Sequence, residues 1–305
     1  MRAALITTYG SNDVVELVEI ERPVTQPDEV LVKVSAAGIN PIDWKIRSGA
    51  GQRMGMMLPI RLGSEFVGVI EEVGASVAAF KHGDEVFGMV KSGGFAQYLT
   101  VKATDIACKP KKLDTVRAAA LPLAGTTAWQ ALFGEAGLVE GQRLLITGAS
   151  GGVGSLAVQF AKAKGVHVTA LTSPRNMAFV RSLGPDMVID YTAQPFEESI
   201  RDIDVVFDTV GADTFQRAFK TLRRGGIMVT VVAFPEGHEA AQYGVEVKRS
   251  FTVPNAATLV AIQTLVDAGQ VTPHVETILP LSEIKRALAL SEAGRVRGKV
   301  VVIIT

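Results

Sequence analysis

The chain has 305 residues, 48 % of them hydrophobic, and its 31 Lys and Arg balance 31 Asp and Glu. It is long enough for two cores, and it offers no basic surface for nucleic acid or an acidic membrane. A single cysteine, Cys108, excludes an internal disulfide and every two-thiolate zinc site, and His82, His167, His238 and His274 are scattered without metal-ligand spacing. No apolar run approaches the ~20 residues of a bilayer span, and polar residues interrupt "MRAALITTYGSNDVVELVEI" too early for a secretory core. A cytoplasmic protein without membrane or nucleic-acid partners is expected.

In chain order, the first third reads as short strands between turn signals: "EVLVKVSAAGIN" (29–40), "EFVGVIEEVG" (65–74), "GDEVFGMV" (83–90) and "GGFAQYLTV" (93–101). Many short strands with glycine-rich turns indicate a compact, barrel-like β domain. At "VRAAALPLAGTTAWQALF" (116–133) the spacing becomes helical. Strands and helices then alternate through "RLLIT", "SLAVQFAKAKG", "HVTAL", "DVVFDTVG" and "IMVTVV", which predicts a doubly wound parallel sheet. After a helix near 256–268 the chain ends in "GKVVVII". An apolar strand needs a partner sheet, so this end is expected to return to the first domain. The division expected is 1–118 with 272–305, and 119–271.

Within "LITGASGGVGSLAVQFAKAKGVHVTALTSPRN" (145–176), Gly148, Gly151, Gly152, Val153 and Gly154 lie between a strand and a helix. Small residues there let the backbone approach a pyrophosphate, whose charge meets free N–H groups at the helix start. An NAD site usually places an acid near the end of the second strand, yet no Asp or Glu occurs between Glu140 and Asp186. Ser173 and Arg175 supply a hydroxyl and a cation instead, the chemistry of a 2′-phosphate. NADPH is the cofactor expected. Val210 and Val231 fall at the carboxyl ends of the fourth and fifth strands, where such sheets bind ligands.

Seven stretches together resemble the zinc-independent quinone oxidoreductase branch of the medium-chain dehydrogenase/reductase superfamily: "AAGINPIDWKIRSG", "LGSEFVGVIEEVG", "GDEVFG", "LPLAGTTAWQAL", "ITGASGGVG", "FDTVG" and "RGKVVV". The resemblance implies an α/β fold with a GroES-like β-barrel domain plus a Rossmann domain. Zinc-dependent relatives carry a ligating Cys where this chain has Asn40, a ligating His where it has Ser64, and a four-cysteine lobe with no counterpart here, so no metal is expected. Glu65 survives from the zinc-type motif and is read as a paired polar residue. The resemblance further implies that Asn40 contacts the cofactor or the substrate carbonyl with Asp43 and Lys45 beside it, that Thr126 lies near the nicotinamide or its phosphates, and that Phe251 with Val253 covers the substrate side. Asn40 and Asp43 read equally well as a turn cap and a helix start. The tyrosine that relatives place near Lys45 is missing, which leaves the proton donor open.

Without a Lewis acid, simple alcohols are poor substrates, whereas quinones and α,β-unsaturated carbonyls delocalise the charge of an incoming hydride. The expected activity is NADPH-dependent reduction of such small molecules. The alternatives are an enoyl-thioester reductase, which needs a basic entrance such as Arg47, Arg53 and Arg61 would make, and a non-catalytic NADPH-binding protein. "GIMVTVV" (226–232) is expected to be the unpaired edge of the nucleotide sheet and to make a homodimer.

Overall fold

The computed structural model describes residues 1–193 and 195–304. Its fold is α/β, with a GroES-like unit and a parallel-sheet Rossmann-type unit. The two compact units are Met1–Leu123 with Pro254–Asp267 and Pro273–Thr305, and Ala124–Val253 with Ala268–Thr272.

The first unit is built on a sheet in the order Val275–Pro280, Lys299–Ile303, Glu29–Gly38, Glu65–Val73, Glu85–Met89 and Ile106–Cys108, with Tyr98–Lys102 also paired to Glu29–Gly38. In Glu29–Gly38 the side chains of Val30, Val32 and Val34 share one face by the two-residue period of a strand. They pack with Phe66, Ile70, Val86, Phe95, Leu99 and Val302 into one core. The last strand pairs antiparallel with Glu29–Gly38, Val301 opposite Gly38 and Val302 opposite Ala37. A smaller sheet of Val15–Glu19, Arg2–Ile6 and Ile60–Arg61 completes the unit. The sequence reading passes over these short strands, because two to five residues carry too little periodicity to separate them from loop.

The second unit holds six strands, all paired parallel, in the order Met187–Asp190, His167–Thr172, Arg143–Ile146, Ile203–Asp208, Leu222–Thr230 and Glu246–Arg249. Counted along the chain this is third, second, first, fourth, fifth, sixth. Direction reverses between Arg143–Ile146 and Ile203–Asp208, which is the place where such sheets bind ligands.

Two expectations need correction. The strand containing 226–230 is not the edge, because Glu246–Arg249 pairs with its outer side from Ile227 to Thr230. The sequence "EVKR" is short and mostly charged, so neither length nor hydropathy marks it as a strand. The helix Ala256–Asp267 lies with the first unit rather than the second, where the sequence reading put it. Its place is set by packing against Ile106–Cys108 and by the Lys112 N–H bonded to Asp267 at 3.2 Å.

Candidate active site

The stretch "GIN" ends a long strand, and Pro41 opens the short helix Pro41–Lys45 at a position where its missing N–H is no loss. Asp43 reaches back from the third residue of that helix, so that its Oδ2 accepts the Asn40 N–H at 2.7 Å. Its Oδ1 accepts the Ser64 hydroxyl, also at 2.7 Å.

The Asn40 side chain is 2 % exposed, and its amide is already bonded. Nδ2 donates to Glu65 Oε1 at 2.7 Å and to Gly38 O at 3.3 Å, while Oδ1 accepts Lys299 Nζ at 2.6 Å. Lys299, 5 % exposed, also donates to Glu65 Oε1 at 2.6 Å and to Ile39 O at 2.9 Å. The Leu123 N–H closes the set on Glu65 Oε2 at 2.7 Å. The close approach requires glycine at position 38, since a Cβ there would collide with the Glu65 carboxylate and the Ala119 carbonyl.

This cluster bears on the roles expected of Asn40 and Lys45. Asn40 is a strut between Glu65 and Lys299 rather than an open amide, because both ends of its side chain are committed. Lys45 is exposed and lies 5.5 Å from its neighbour's Trp44 ring. The lysine that joins the buried cluster is Lys299, from the far end of the chain, and Glu65 is paired as the sequence reading holds. Burial, opposed by the bonds from Ser64 and Asn40 and by the Lys299 charge and assisted by the Glu65 charge, pushes the Asp43 carboxyl up to about 7.

In the second unit the strand Arg143–Ile146 runs through Thr147 into the glycine turn and the helix Gly152–Ala163. Gly148 has φ 67°, and a Cβ on it would press on Thr209 and Val210. A Cβ on Gly154 would strike the Gly148 carbonyl, so the helix packs directly on the turn. Gly151 caps this helix without any side-chain bond to its first N–H groups, and a Cβ on it would make only an ordinary contact with the Gly148 carbonyl. The cradle therefore fits a pyrophosphate on the half-buried N–H groups that open this helix.

Around it the chain supplies polar partners that the sequence did not single out. The fully buried Asp208 accepts Thr147 Oγ1 at 2.8 Å and Thr230 Oγ1 at 2.8 Å, tying the ends of three central strands together. It also accepts the Gly211 N–H at 3.0 Å, which fixes the turn carrying the exposed Val210, while the neighbouring Val231 is half-buried. Asn176 donates to Ser150 at 3.0 Å and reaches Ser173 at 3.5 Å, bridging the glycine turn to the second strand's end. Arg175, in the same short turn Pro174–Asn176, is exposed. Threonines inside a parallel sheet and an Asn in a turn have ordinary bland readings, so only their meeting at the strand ends marks them.

Thr126 is completely buried, and its hydroxyl has no hydrogen-bond partner, as is true of Thr172. A buried donor left unmatched costs about 1–3 kcal/mol, so a ligand that satisfies it is favoured. The next residue, Thr127, meets Thr252 at 2.7 Å, and Gln130 bonds Val253 in both directions at 2.8 and 3.0 Å. These bonds hold the Phe251–Val253 segment beside the Thr126 helix. The Arg249 guanidinium lies 3.4 Å from the Phe234 ring and 5.1 Å from the Phe251 ring, both rings being exposed. The structure thus brings Thr126, the glycine turn, Ser173, Arg175, Val210, Val231 and Phe251 into one unit, and Asn40 and Asp43 into the other. Among the described residues no group of His, Cys, Asp and Glu has the arrangement of a metal centre.

Residues 26–111 match the alcohol dehydrogenase GroES-like domain, and residues 183–302 match the zinc-binding dehydrogenase family. The chain is 35 % identical to the mitochondrial NAD(P)H oxidoreductase RTN4IP1 of Mus musculus, over 99 % of this chain and 89 % of the relative. It is 34 % identical to the chloroplastic NADPH-dependent alkenal/one oxidoreductase of Arabidopsis thaliana, over 99 % and 79 %. Among solved structures, the quinone oxidoreductase from Coxiella burnetii superposes with a TM-score of 0.93 at 33 % identity, covering 100 % of this chain and 99 % of that one. The Escherichia coli quinone oxidoreductase complexed with NADPH gives 0.91 at 26 % identity, over 99 % and 100 %. The chain belongs to the quinone oxidoreductase branch of the medium-chain dehydrogenase/reductase superfamily. It is an oxidoreductase, and its cofactor is NADPH.

The expected cytoplasmic location does not stand. Several of the relatives it matches are named as mitochondrial, chloroplastic or chloroplast-envelope proteins. The early polar residues argue only against a secretory core and carry no information on organelle import.

Proposed function

We propose that the protein reduces quinones or α,β-unsaturated carbonyls with NADPH and without a metal. The observation that carries this reading is the donor set around Glu65. The two positions where zinc-dependent relatives ligate the metal hold Asn40 and Ser64, both committed to bonds within the chain. An ammonium, Lys299, already sits 2.6 Å from Glu65 and 2.6 Å from Asn40 Oδ1. A second cation against the same carboxylate would be repelled. Acceptors that spread charge over a conjugated system need no such cation.

Bound NADPH supplies the hydride. In this reading Gly151, Gly152 and Val153 hold its pyrophosphate, Ser173 and Arg175 its 2′-phosphate, and Thr126 donates its unmatched hydroxyl to the nicotinamide half. Val210, Val231 and Phe251 supply apolar walls. An enoyl-thioester reductase has a structural neighbour in CurK enoyl reductase, at 25 % identity and a TM-score of 0.92. Arg47, however, is buried and bonded to Asn12 and Glu292, so it offers no charge to a thioester carrier's phosphates. A panel of quinones and enones tests the reading. Steady NADPH oxidation with at least one of them is expected, at a rate that chelators leave unchanged and in protein free of stoichiometric zinc. No turnover on any acceptor identifies a binding protein, and zinc lost together with activity overturns the metal-free reading.

The same family reading extends to assembly. The strand Glu246–Arg249, half-buried except at Glu246, is the edge of the sheet among the described residues and suits pairing with a second copy about a twofold axis. A homodimer is the expected mass in light scattering at micromolar concentration, and proline at Val247 is expected to shift it toward monomer. A monomeric wild type refutes this.

A further inference from the structure

We propose that Asn176 is the positioning residue that selects NADPH over NADH: its side-chain amide aims the hydroxyls of Ser150 and Ser173 at the cofactor's 2′-phosphate, which makes Ser150 a further residue of that site. The inference deepens the reading above in which Ser173 and Arg175 hold the phosphate, and it rests on that reading.

All three residues lie in the second unit. Asn176 precedes the helix Met177–Ser182 at the position where an asparagine ordinarily accepts a bond from the first N–H groups, yet its side chain makes no such bond. It reaches the glycine turn instead. Nδ2 donates to Ser150 Oγ at 3.0 Å and to Ser173 Oγ at 3.5 Å. The Asn176 N–H bonds Ser173 O at 3.0 Å and the Ala149 N–H bonds Leu171 O at 3.0 Å, so the backbone fixes the turn and the strand end on either side of the amide. Asn176 is 7 % exposed, whereas both serines are half-buried. The amide is the inner member of the trio, and the hydroxyls are the outer ones.

A hydroxyl carries one hydrogen and two lone pairs, so a serine that accepts from an amide N–H still has its own hydrogen to give. Among the described residues neither Ser150 nor Ser173 spends that hydrogen on another group of the chain. Two such donors bridged by one amide suit a phosphate, to which hydrogen bonds are short and strong. The neutral 2′-hydroxyl that NADH presents gains less from the same donors. An amide in the opposite orientation would draw both hydrogens onto its oxygen and leave lone pairs facing the phosphate.

Fluorescence titration of the cofactor-free protein with NADPH and with NADH tests the assignment. Asn176→Ala lets both hydroxyls rotate and is expected to weaken NADPH about tenfold while moving NADH by less than about twofold. Ser150→Ala is expected to do the same. In a background of Ser150→Ala with Ser173→Ala, adding Asn176→Ala is expected to cost nothing further, because a residue that acts through two hydroxyls has no effect once they are gone. Asn176→Asp, of the same size, pulls both hydrogens inward and adds a charge, and is expected to weaken NADPH about a hundredfold with a far smaller loss for NADH. Equal weakening of both cofactors by Asn176→Ala, or a further loss in the background without the serines, marks a structural asparagine and overturns the inference. Unchanged NADPH affinity in Asn176→Ala or in Ser150→Ala overturns it as well. Ser173→Ala and Arg175→Ala separate the two levels: a selective loss of NADPH in either keeps the phosphate reading where the Asn176 result fails, and no selective loss in both overturns the reading together with the inference. If Asn176→Ala does not fold, Ser150→Ala and Asn176→Asp decide, and the absence of a selective NADPH loss in either overturns the inference.

Discussion

Lys299→Met is expected to destabilise the protein by about 3–5 kcal/mol, because it leaves a carboxylate buried without its cation. Glu65 is completely buried and shares one oxygen with Lys299 at 2.6 Å and with the Asn40 amide at 2.7 Å. With the ammonium gone, Glu65 keeps only the Asn40 amide and the Leu123 N–H, and Asn40 Oδ1 loses its donor as well. Surface pairs such as Arg286 with Glu283 are worth at most about 1 kcal/mol, since water screens them. The double change Glu65→Gln with Lys299→Met removes both charges and is expected to recover most of the loss. Urea unfolding gives the answer as a lowered midpoint at unchanged slope. A single-variant loss below about 1 kcal/mol would show that water reaches the pair.

Arg175→Ala is expected to weaken NADPH binding by about ten- to a hundredfold, the worth of a charge-assisted contact of about 1.5–3 kcal/mol, and to leave NADH nearly unchanged. Ser173 and Arg175 stand at the end of His167–Thr172, joined to the glycine turn through Asn176 and Ser150. Adding Ser173→Asp supplies an acceptor for the ribose hydroxyls and repels a 2′-phosphate, so the double variant is expected to prefer NADH. Fluorescence titration with both cofactors measures it. Equal weakening of the two would assign Arg175 to the solvated loop and move the phosphate contact to another residue.

The sequence by itself determined the features that are local. The order strand, glycine turn, helix and strand at 143–172 is set by spacing and by residues small enough for a tight turn. The absence of any acid between Glu140 and Asp186 is a fact of composition, and the parallel sheet follows from the alternation of elements. Asn40 and Ser64 are likewise readable, because the zinc-type motif is continuous around each position.

Only the tertiary structure decided which side chains meet. Lys299 lies 234 residues from Glu65 along the chain and bonds it because the last strand pairs with Glu29–Gly38. No period in the sequence separates that lysine from a solvated one, and the more local Lys45 looks the better candidate until the fold turns it outward. Asp208 draws Thr147 and Thr230 together from positions 61 and 22 residues away. The edge of the nucleotide sheet passed from 226–232 to Glu246–Arg249 for the same reason: ladder hydrogen bonds use backbone groups that every residue carries, so a charged strand of four residues pairs as well as an apolar one. Hydropathy and spacing record what a segment prefers locally, whereas partner choice between distant segments is fixed when the whole chain packs and buried polar groups must find one another.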